Sequence, residues 1–536
     1  MWTLNRENKT IGCLDWGYSL ALFLLTLLSR IPFRSQILYH WDSVNFALAI
    51  REFDISIDQP QPPGYIGYVW LSRLVDRFLG DPQTTMVWIS VVTSALAVVA
   101  LFHLGRSMFG RTVGLVGGLL LATSPLFWFY GEIALPHTVD AFLVILSAWL
   151  LYEVTLGHAR AVLPAAVALA VAGGVRQQTP IFLVPLTLFA GVRFLQKRGG
   201  KRGLGSIGVA VILFGILCAA WFFPLTGSTG GLGTYLEILS AYSERFGTTT
   251  SLFAGGGLWG LSRNLRKVGM YTLYGWGVGL VPLALYVAFR LRHRSVRVRW
   301  ERTLFLLAWV IPSFLFYALI HMGQQGLVFV FLPMLLLLSA RGAAALIIDL
   351  PSARWAAVAV LLLMSANVGV FLLAPEYPLG GTRLRLLTRQ ALVHSDRYCQ
   401  DRFTVIRDEF PPQSAALIAA DWRRAAYYLP EYQVLPFDIG SKWEIDEGLP
   451  TGDTHEVAMT PAELALVLDD GEEATIVIFD PGLEPFNQSP AATRARPLAH
   501  GGELSFLVLE EGEEFLYGSR SFGVTDGSER ASGRVE

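Results

Sequence analysis

His40-Trp41-Asp42-Ser43-Val44-Asn45 and, a short way on, Gln59-Pro60-Gln61-Pro62-Pro63-Gly64-Tyr65 follow directly on the first apolar run of a strongly hydrophobic chain. A carboxylate, an imidazole and several amides therefore stand beside a stiff Pro-Pro-Gly corner at the edge of a bilayer. Polar groups kept at such a place are expensive and mark function by default. That reading requires the apolar runs to be membrane spans.

The composition agrees. Of 536 residues, 53% are hydrophobic and only 16% charged, a low charge content for a soluble protein of this length. Apolar runs recur at roughly 11–32, 84–105, 112–128, 136–155, 160–175, 178–195, 205–224, 266–290, 303–320, 326–345 and 354–374. They predict a polytopic α-helical membrane protein with about eleven spans. The first run is interrupted by Asp15 and lacks a small-residue cleavage site, so it reads as a retained helix rather than a removed signal. Gly64 to Leu79 is also apolar, but Arg73, Asp76 and Arg77 make it a helix lying at the membrane surface.

Charge divides the chain in two. Residues 1–375 carry 28 Lys and Arg against 15 Asp and Glu, a net +13, and residues 376–536 carry 14 against 28, a net −14. A basic membrane domain over 1–375 and an acidic soluble domain over 376–536 are expected. Basic residues gather in His103–Arg111, His158–Arg160, Arg193–Arg202, Arg290–Arg302 and Arg341–Arg354, which fall on one side if the spans alternate. That side should be the cytoplasm. The amino terminus is then inside, and the first loop and the tail face outward from a multi-pass protein of the cell (inner) membrane. The loop 225–264 is rich in Gly, Ser and Thr and holds a short helix from about Tyr235 to Phe246, an arrangement that suits a lid or a flexible connection. Cys13, Cys218 and Cys399 are too few and too scattered for a disulfide framework or a CxxC metal site.

The tail reads as a small α/β domain. Ala415 to Ala420 is a buried strand, Asp421 caps a helix to Tyr428, and Tyr432 to Phe437 is the next strand. Thr460-Pro461-Ala462-Glu463 starts a helix with proline in its first turn. Thr475 to Phe479 is a further strand. No GxGxxG or P-loop occurs in the tail, so nothing there argues for nucleotide binding, and no nucleic-acid partner is expected.

Several outer-side groups are candidates for chemistry. Asp42, Glu52, Asp54 and Asp58 lie in the first loop, Glu132 at the next outer turn, and Asp140 just inside the following helix. His137 and Asp140, three apart, share a helix face. A carboxylate in a water-poor cleft can serve as a general base toward a hydroxyl. Spacing alone also allows solvated loop positions for Glu52, Asp54 and Asp58, and a structural bond for Asp140.

The pattern His40-Trp41-Asp42-Ser43 followed by Gln61-Pro62-Pro63-Gly64-Tyr65 resembles the first-loop signature of the protein O-mannosyltransferase and lipid A aminoarabinose transferase superfamily. Its departures are Ser43 where Glu is common and Gln61 where Lys or His is common. Ser124 to Pro136, with Glu132 after an aromatic run, is similar to the second outer loop of bacterial members. Gly174-Val175-Arg176-Gln177-Gln178-Thr179-Pro180 forms an outward hairpin where members often carry a basic residue. His321 to Gly326, with Gln325, leads on to Phe331-Leu332-Pro333.

The resemblance implies a GT-C fold and an integral-membrane glycosyltransferase. Its donor would be a polyprenyl-phosphate-linked sugar, and its acceptor a glycan, lipid or protein at the outer face, within membrane lipid. It implies inversion at the sugar carbon with Asp42 as general base. Arg176 becomes the candidate for the lipid phosphate, since a guanidinium makes bidentate phosphate contacts; a snorkelling anchor is the other reading. Glu132, His137 and Asp140 would hold sugar or acceptor, and His40, Gln61, Tyr65, Gln177, His321 and Gln325 complete the candidate set. No cofactor and no essential metal are expected. The rival readings are a transporter or flippase, against which the lack of an internal repeat speaks, and an inactive GT-C-like scaffold, which Ser43 and Gln61 would favour.

Overall fold

The computed structural model describes residues 12–292, 300–348, 352–380, 384–436, 466–468, 474–487, 489–509, 514–517 and 520–526. The densest basic run, 293–299, and the helix expected to start at Thr460 lie outside the described residues. The chain forms two compact units. One comprises Met1–Ser35, Asn45–Ala374 and Leu387–Arg389, and the other Gln36–Val44, Pro375–Leu386 and Gln390–Glu536.

The first unit is helical. Its elements are α1 (Cys13–Arg30), α2 (Trp41–Arg51, whose first four residues group with the other unit), α3 (Ile66–Leu79), α4 (Pro82–Phe109), α5 (Arg111–Thr123), α6 (Pro125–Tyr130), α7 (His137–Thr155), α8 (Val162–Val175) and α9 (Gln178–Phe182). There follow α10 (Val184–Arg198), α11 (Gly200–Gly227), α12 (Leu232–Thr250), α13 (Gly257–Trp276), α14 (Leu280–Arg292), α15 (Trp300–Leu319), α16 (Leu332–Ile348) and α17 (Ala353–Leu373).

Every apolar run of the sequence is helical here, and the runs differ in length. Among the described residues seven stretches are long and apolar enough to cross a membrane: Cys13–Phe33, Pro82–Phe109, His137–Thr155, Gly200–Gly227, Gly257–Arg292, Trp300–Leu319 and Arg354–Leu373. Arg111–Thr123, Ala159–Val175 and Leu332–Leu346 are apolar but shorter. The run expected at 178–195 is broken between α9 and α10 by a single residue, Leu183, ahead of Pro185. A proline there removes a backbone donor and ends the preceding helix.

The helices are built for lipid. On α1 the buried stripe is Asp15, Ser19, Leu22, Thr26 and Arg30, while Leu14, Trp16, Leu20, Leu24, Leu25 and Leu28 are exposed. This inversion, polar groups in and apolar groups out, is expected where the solvent is hydrocarbon. Asp15, the charge that interrupts the first run, receives Arg106 at 3.1 Å and Arg111 at 2.8 Å. Its partners therefore come from α4 and the start of α5, as an intramembrane carboxylate requires. Packing is close where glycines meet: a Cβ on Gly114 would stand 2.4 Å from the Phe102 carbonyl oxygen. α3 is amphipathic, burying Ile66, Tyr68 and Val69 and exposing Trp70, Leu74 and Phe78.

Among its described residues the second unit contains α18 (Arg389–Glu409, apart from its first residue), α19 (Trp422–Tyr428) and eight strands. They are β1 (Ala415–Ala419), β2 (Gln433–Pro436), β3 (Leu466–Leu468), β4 (Ala474–Ile478), β5 (Arg494–Pro497), β6 (Glu503–Leu509), β7 (Glu514–Tyr517) and β8 (Arg520–Asp526). A five-stranded mixed sheet has the order β2-β1-β4-β6-β5, and a three-stranded one the order β3-β8-β7. β1 pairs in parallel with both β2 and β4, so it is central and buried along its length, and it reads as a continuous apolar run for that reason. One sheet face packs Leu417, Val477 and Phe506 against Phe403 and Ile406 of α18 and Leu429.

Candidate functional site

The corner at Gln61–Tyr65 is built first. Gln59-Pro60 and Pro62-Pro63 are cis, and Gly64 and Tyr65 both have positive φ, 112° and 44°. Gly64 has no room for a side chain: a Cβ would lie 2.7 Å from Leu225. The Pro63 carbonyl then points where two donors reach it, Gln177 Nε2 at 3.3 Å and Tyr235 Oη at 3.1 Å. Gln61 Oε1 accepts from Asn45 Nδ2 at 3.4 Å.

This corner is pressed against the Arg176 hairpin by two glycines. A Cβ on Gly67, in the first turn of α3, would stand 2.7 Å from the Gly174 carbonyl carbon, backbone against backbone. Gly67→Ala is accordingly expected to destabilise the protein by about 1–3 kcal/mol, the usual range for overpacking. A thermal melt in detergent should show a lowered midpoint; an unchanged midpoint would contradict this packing.

Behind the corner lies a buried polar cluster. Arg176 Nη1 is 3.7 Å from Asp140 Oδ2, and Thr179 Oγ1 donates to Asp140 Oδ1 at 2.6 Å. Arg176 Nη2 reaches Gln178 Oε1 at 3.4 Å. Burial alone would disfavour the charge on Arg176, but the Tyr317 and Tyr65 hydroxyls and Asp140 outweigh it and raise its pKa. Arg176 Nε, Tyr317 Oη and Gln177 Oε1 are buried without a hydrogen-bond partner among the described residues. Buried polar atoms are rarely left so, and a guanidinium edge beside a phenol is a ready anion site.

His321 sits near the same charges. Its Nδ1 is 3.1 Å from Thr250 Oγ1. Burial, with the charges of Arg263, Lys267 and Arg176, lowers its pKa to about 4, so the ring is neutral near pH 7. Three cations thus act on one point. Arg263 and Lys267 are four apart on α13 and share a face, and Lys267 is buried.

The structure places the other expected residues as follows. Tyr130 Oη donates to Gln325 Oε1 at 3.0 Å, and the His137 ring lies tilted by 57° to Tyr130 with ring centres 4.8 Å apart. Gly326 is pressed so close to that imidazole that a Cβ would stand 2.3 Å from it. Glu132 is wholly buried, and neither carboxylate oxygen has a hydrogen-bond partner among the described residues. Burial raises its pKa well above the usual range despite the charge of Arg30. Its backbone carbonyl accepts from Ser35 at 3.0 Å.

His40 and Asp42 group with the second unit. There the Asp42 backbone N–H donates to His40 Nδ1 at 3.0 Å, so the imidazole caps α2. The Asp42 carboxylate stands 3.9 Å from that nitrogen and is partly exposed. Trp41 meets Trp422 edge-on at 5.8 Å, with Arg423 over both rings. Thus Tyr65, Asp140, Arg176 and Gln177 come together with His321 nearby, while Gln325, Tyr130 and His137 form a second group. Among the described residues no three His, Cys, Asp or Glu cluster as metal ligands would.

Sequence reasoning missed Thr179, Tyr317, Arg263 and Lys267. The last two carried a legible signal, an i, i+4 cationic pair opening an apolar span on the expected outer side.

The polytopic helical fold whose carboxy-terminal region contains strands is similar to that of one solved structure. ArnT from Cupriavidus metallidurans, in a crystal structure bound to undecaprenyl phosphate, is similar over 92% of this chain and 97% of its own, with TM-score 0.54 and 14% identity. An oligosaccharyltransferase of Archaeoglobus fulgidus in the apo form matches over 81% and 66%, with TM-score 0.43 and 13% identity. The family model for dolichyl-phosphate-mannose-protein mannosyltransferase matches residues 59–222, which include the Pro-Pro-Gly corner, Asp140 and Arg176. No curated protein matches the chain.

Proposed function

We propose that this protein is a GT-C membrane glycosyltransferase that moves a sugar from a polyprenyl-phosphate carrier to an acceptor hydroxyl at the outer face. The observation that carries the reading is the buried Arg176 cradle, with Asp140 at 3.7 Å and the Tyr317 hydroxyl, which has no hydrogen-bond partner among the described residues, also acting on it. The acceptor oxygen attacks the sugar C1 from the side opposite the phosphate, the C1–O bond to phosphate breaks, and configuration inverts. Asp42 takes the acceptor proton, and the polyprenyl phosphate leaves as a monoester. Negative charge develops on that phosphate, where Arg176, Lys267 and Arg263 stabilise it. Because the leaving charge is met by guanidinium and ammonium groups, transfer should survive EDTA.

Tyr65 and Gln177 shape the phosphate side of the site, and neutral His321 can donate or accept without adding charge. Gln61 and His40 steady the loop on either side of the base. His137, Asp140 and Gln325 hold the sugar or acceptor, and Glu132, with no surface of its own, acts through the loop it anchors. About eleven crossings, with the chemistry in residues 1–375 and the tail outside, complete the reading.

The test is the purified protein in liposomes, given a labelled polyprenyl-phosphate sugar and a membrane-glycan extract. Release of polyprenyl phosphate with label in the glycan is expected. Movement of intact sugar lipid between leaflets without release would make the protein a flippase.

Orientation has its own check. In a background with Cys13, Cys218 and Cys399 replaced by alanine, Glu503→Cys should react with an impermeant thiol reagent in intact cells. Lys201→Cys, in the first turn of α11, should not. The reverse pattern would overturn the topology.

A further inference from the structure

The nine residues Gln36–Val44 group with the second unit, although they lie between α1 and the body of α2 and carry Asp42. The backbone N–H and C=O groups of such a connecting segment must find partners. Here side chains from 359 to 390 positions further along the chain supply them. Asp396 of α18 accepts from the Gln36 N–H at 2.9 Å and from the Ile37 N–H at 3.1 Å. The Tyr428 hydroxyl, at the end of α19, accepts from the Leu38 N–H at 2.9 Å. Arg424 Nη2 donates to the Tyr39 carbonyl at 2.7 Å. Ile37 itself enters the core of this unit with Phe403 and Leu417. Four successive backbone positions are thus held just ahead of the α2 cap, where the His40 ring receives the Asp42 N–H.

What holds the segment is itself firmly built. Arg424 is buried, with Nη2 also 2.9 Å from Asp421 Oδ2 and Nη1 donating to Cys399 Sγ at 3.6 Å. Asp421 follows β1 by two residues, and Asp480 follows β4 by two. One Asp480 oxygen accepts from the backbone of Ala420 at 2.8 Å and of Asp421 at 3.4 Å, and the other accepts from Tyr398 Oη at 2.8 Å. The guanidinium therefore stands on the ends of two adjacent parallel strands. A buried ion pair is weak evidence for stability, because apolar side chains of similar volume do as well or better. What Arg424 supplies that an apolar residue cannot is a directed donor to the Tyr39 carbonyl.

We propose that Arg424 is a positioning residue for sugar transfer, holding Gln36–Tyr39 together with Tyr428 and Asp396 so that the segment presents Asp42 in one orientation. The proposal rests on the reading of Asp42 as the general base. It gives the acidic carboxy-terminal unit a part in the chemistry, since the base is carried on a segment of that unit. A general base must lie within hydrogen-bond reach of the proton it takes. A remote change that misplaces a reacting group by about 1 Å costs on the order of a hundredfold in rate.

The experiment pairs steady-state transfer with hydrogen exchange on the full chain in lipid nanodiscs, for Arg424→Gln, Arg424→Lys and Tyr428→Phe. Tyr428→Phe is the gentler probe, because it keeps the ring against Phe403 and loses the hydroxyl. In Arg424→Gln kcat should fall by about ten- to a hundredfold, the scale of a misplaced reacting group. Donor-lipid affinity should stay within about twofold of wild type, the split that marks loss in the chemical step. Tyr428→Phe should act in the same direction, and Arg424→Lys, which keeps a donor for the Tyr39 carbonyl, should regain most of the loss. Amide exchange over 36–44 should quicken in Arg424→Gln and Tyr428→Phe while that of Ile66–Leu79 is unchanged. The deciding arm is Arg424→Gln in the Asp42→Asn background. There it should lower residual transfer no further, because a residue acting through Asp42 has nothing left to act on. Losses that multiply in the double variant, unchanged exchange over 36–44, or kcat within about twofold of wild type in Arg424→Gln would each overturn the proposal. If the wild type releases no polyprenyl phosphate, or Asp42→Asn transfers as wild type does, the transfer reading itself falls and the proposal with it. Multiplying losses leave that reading standing and remove only Arg424.

Discussion

Asp42→Asn is expected to lower sugar transfer by about 10²-fold or more, the range for removing a general base, while the protein still folds and still binds donor lipid. The substitution is a clean one. Asp42 holds its place through its backbone N–H, which donates to His40 Nδ1, and asparagine keeps that bond and the side-chain volume. What it loses is the negative charge, and with it the capacity to take a proton. His40→Gln, by contrast, removes the acceptor that caps α2 and should lower yield or thermal midpoint before it lowers the rate per folded molecule; losing a cap typically costs about 1 kcal/mol. The comparison separates chemistry from scaffolding. Transfer by Asp42→Asn within a few-fold of wild type would remove Asp42 from the mechanism.

Much of the fold was legible because each element announces itself by a single physical demand. A span must be apolar for about 20 residues, and the eleven apolar runs are indeed helical. Their lengths were less legible, because a break inside an apolar run leaves little trace in its hydropathy. Helices such as Arg111–Thr123 and Ala159–Val175 are apolar yet short, and Pro185 breaks the run after Thr179 in two. The β1 strand was readable from Ala415-Ala416-Leu417-Ile418-Ala419 because a central parallel strand is buried on both faces. β5 was not read as a strand, since its Arg-Ala-Arg-Pro sequence is polar at an exposed sheet edge.

The site was legible only where one residue is costly enough to stand out. Arg176 after two glycines in an apolar setting was such a residue, and so was Asp140. Their connection to each other was not, because it depends on the α8–α9 hairpin returning to α7, and Thr179 becomes a ligand of Asp140 only through that return. Tyr317 looks like any interfacial aromatic in sequence; its hydroxyl matters only because it is buried beside Arg176. Glu132 shows the opposite limit. Its place after an aromatic run suggested an outer-facing acid, but it ends wholly buried, with Arg30 acting on it.

The Arg176 series is expected to give the second large effect. Arg176→Lys keeps the charge and loses the planar fork, and Arg176→Gln loses both, so donor-lipid affinity should fall in the order wild type, Lys, Gln. Truncating one partner of a buried charge pair costs about 2–5 kcal/mol, which corresponds to roughly 30-fold to several thousand-fold in affinity at 1.4 kcal/mol per tenfold. Part of that loss is structural, because Arg176→Gln takes the cation from buried Asp140 and leaves it the Thr179 hydroxyl as its side-chain donor among the described residues. The double variant Arg176→Gln with Asp140→Asn removes the stranded charge and should recover protein yield and thermal midpoint. It should not recover donor affinity, since the guanidinium that meets the phosphate is still missing. A direct binding assay with polyprenyl phosphate decides between the two roles. If the double variant binds the lipid as wild type does, Arg176 serves only to neutralise Asp140, and the phosphate is held by Arg263 and Lys267 alone.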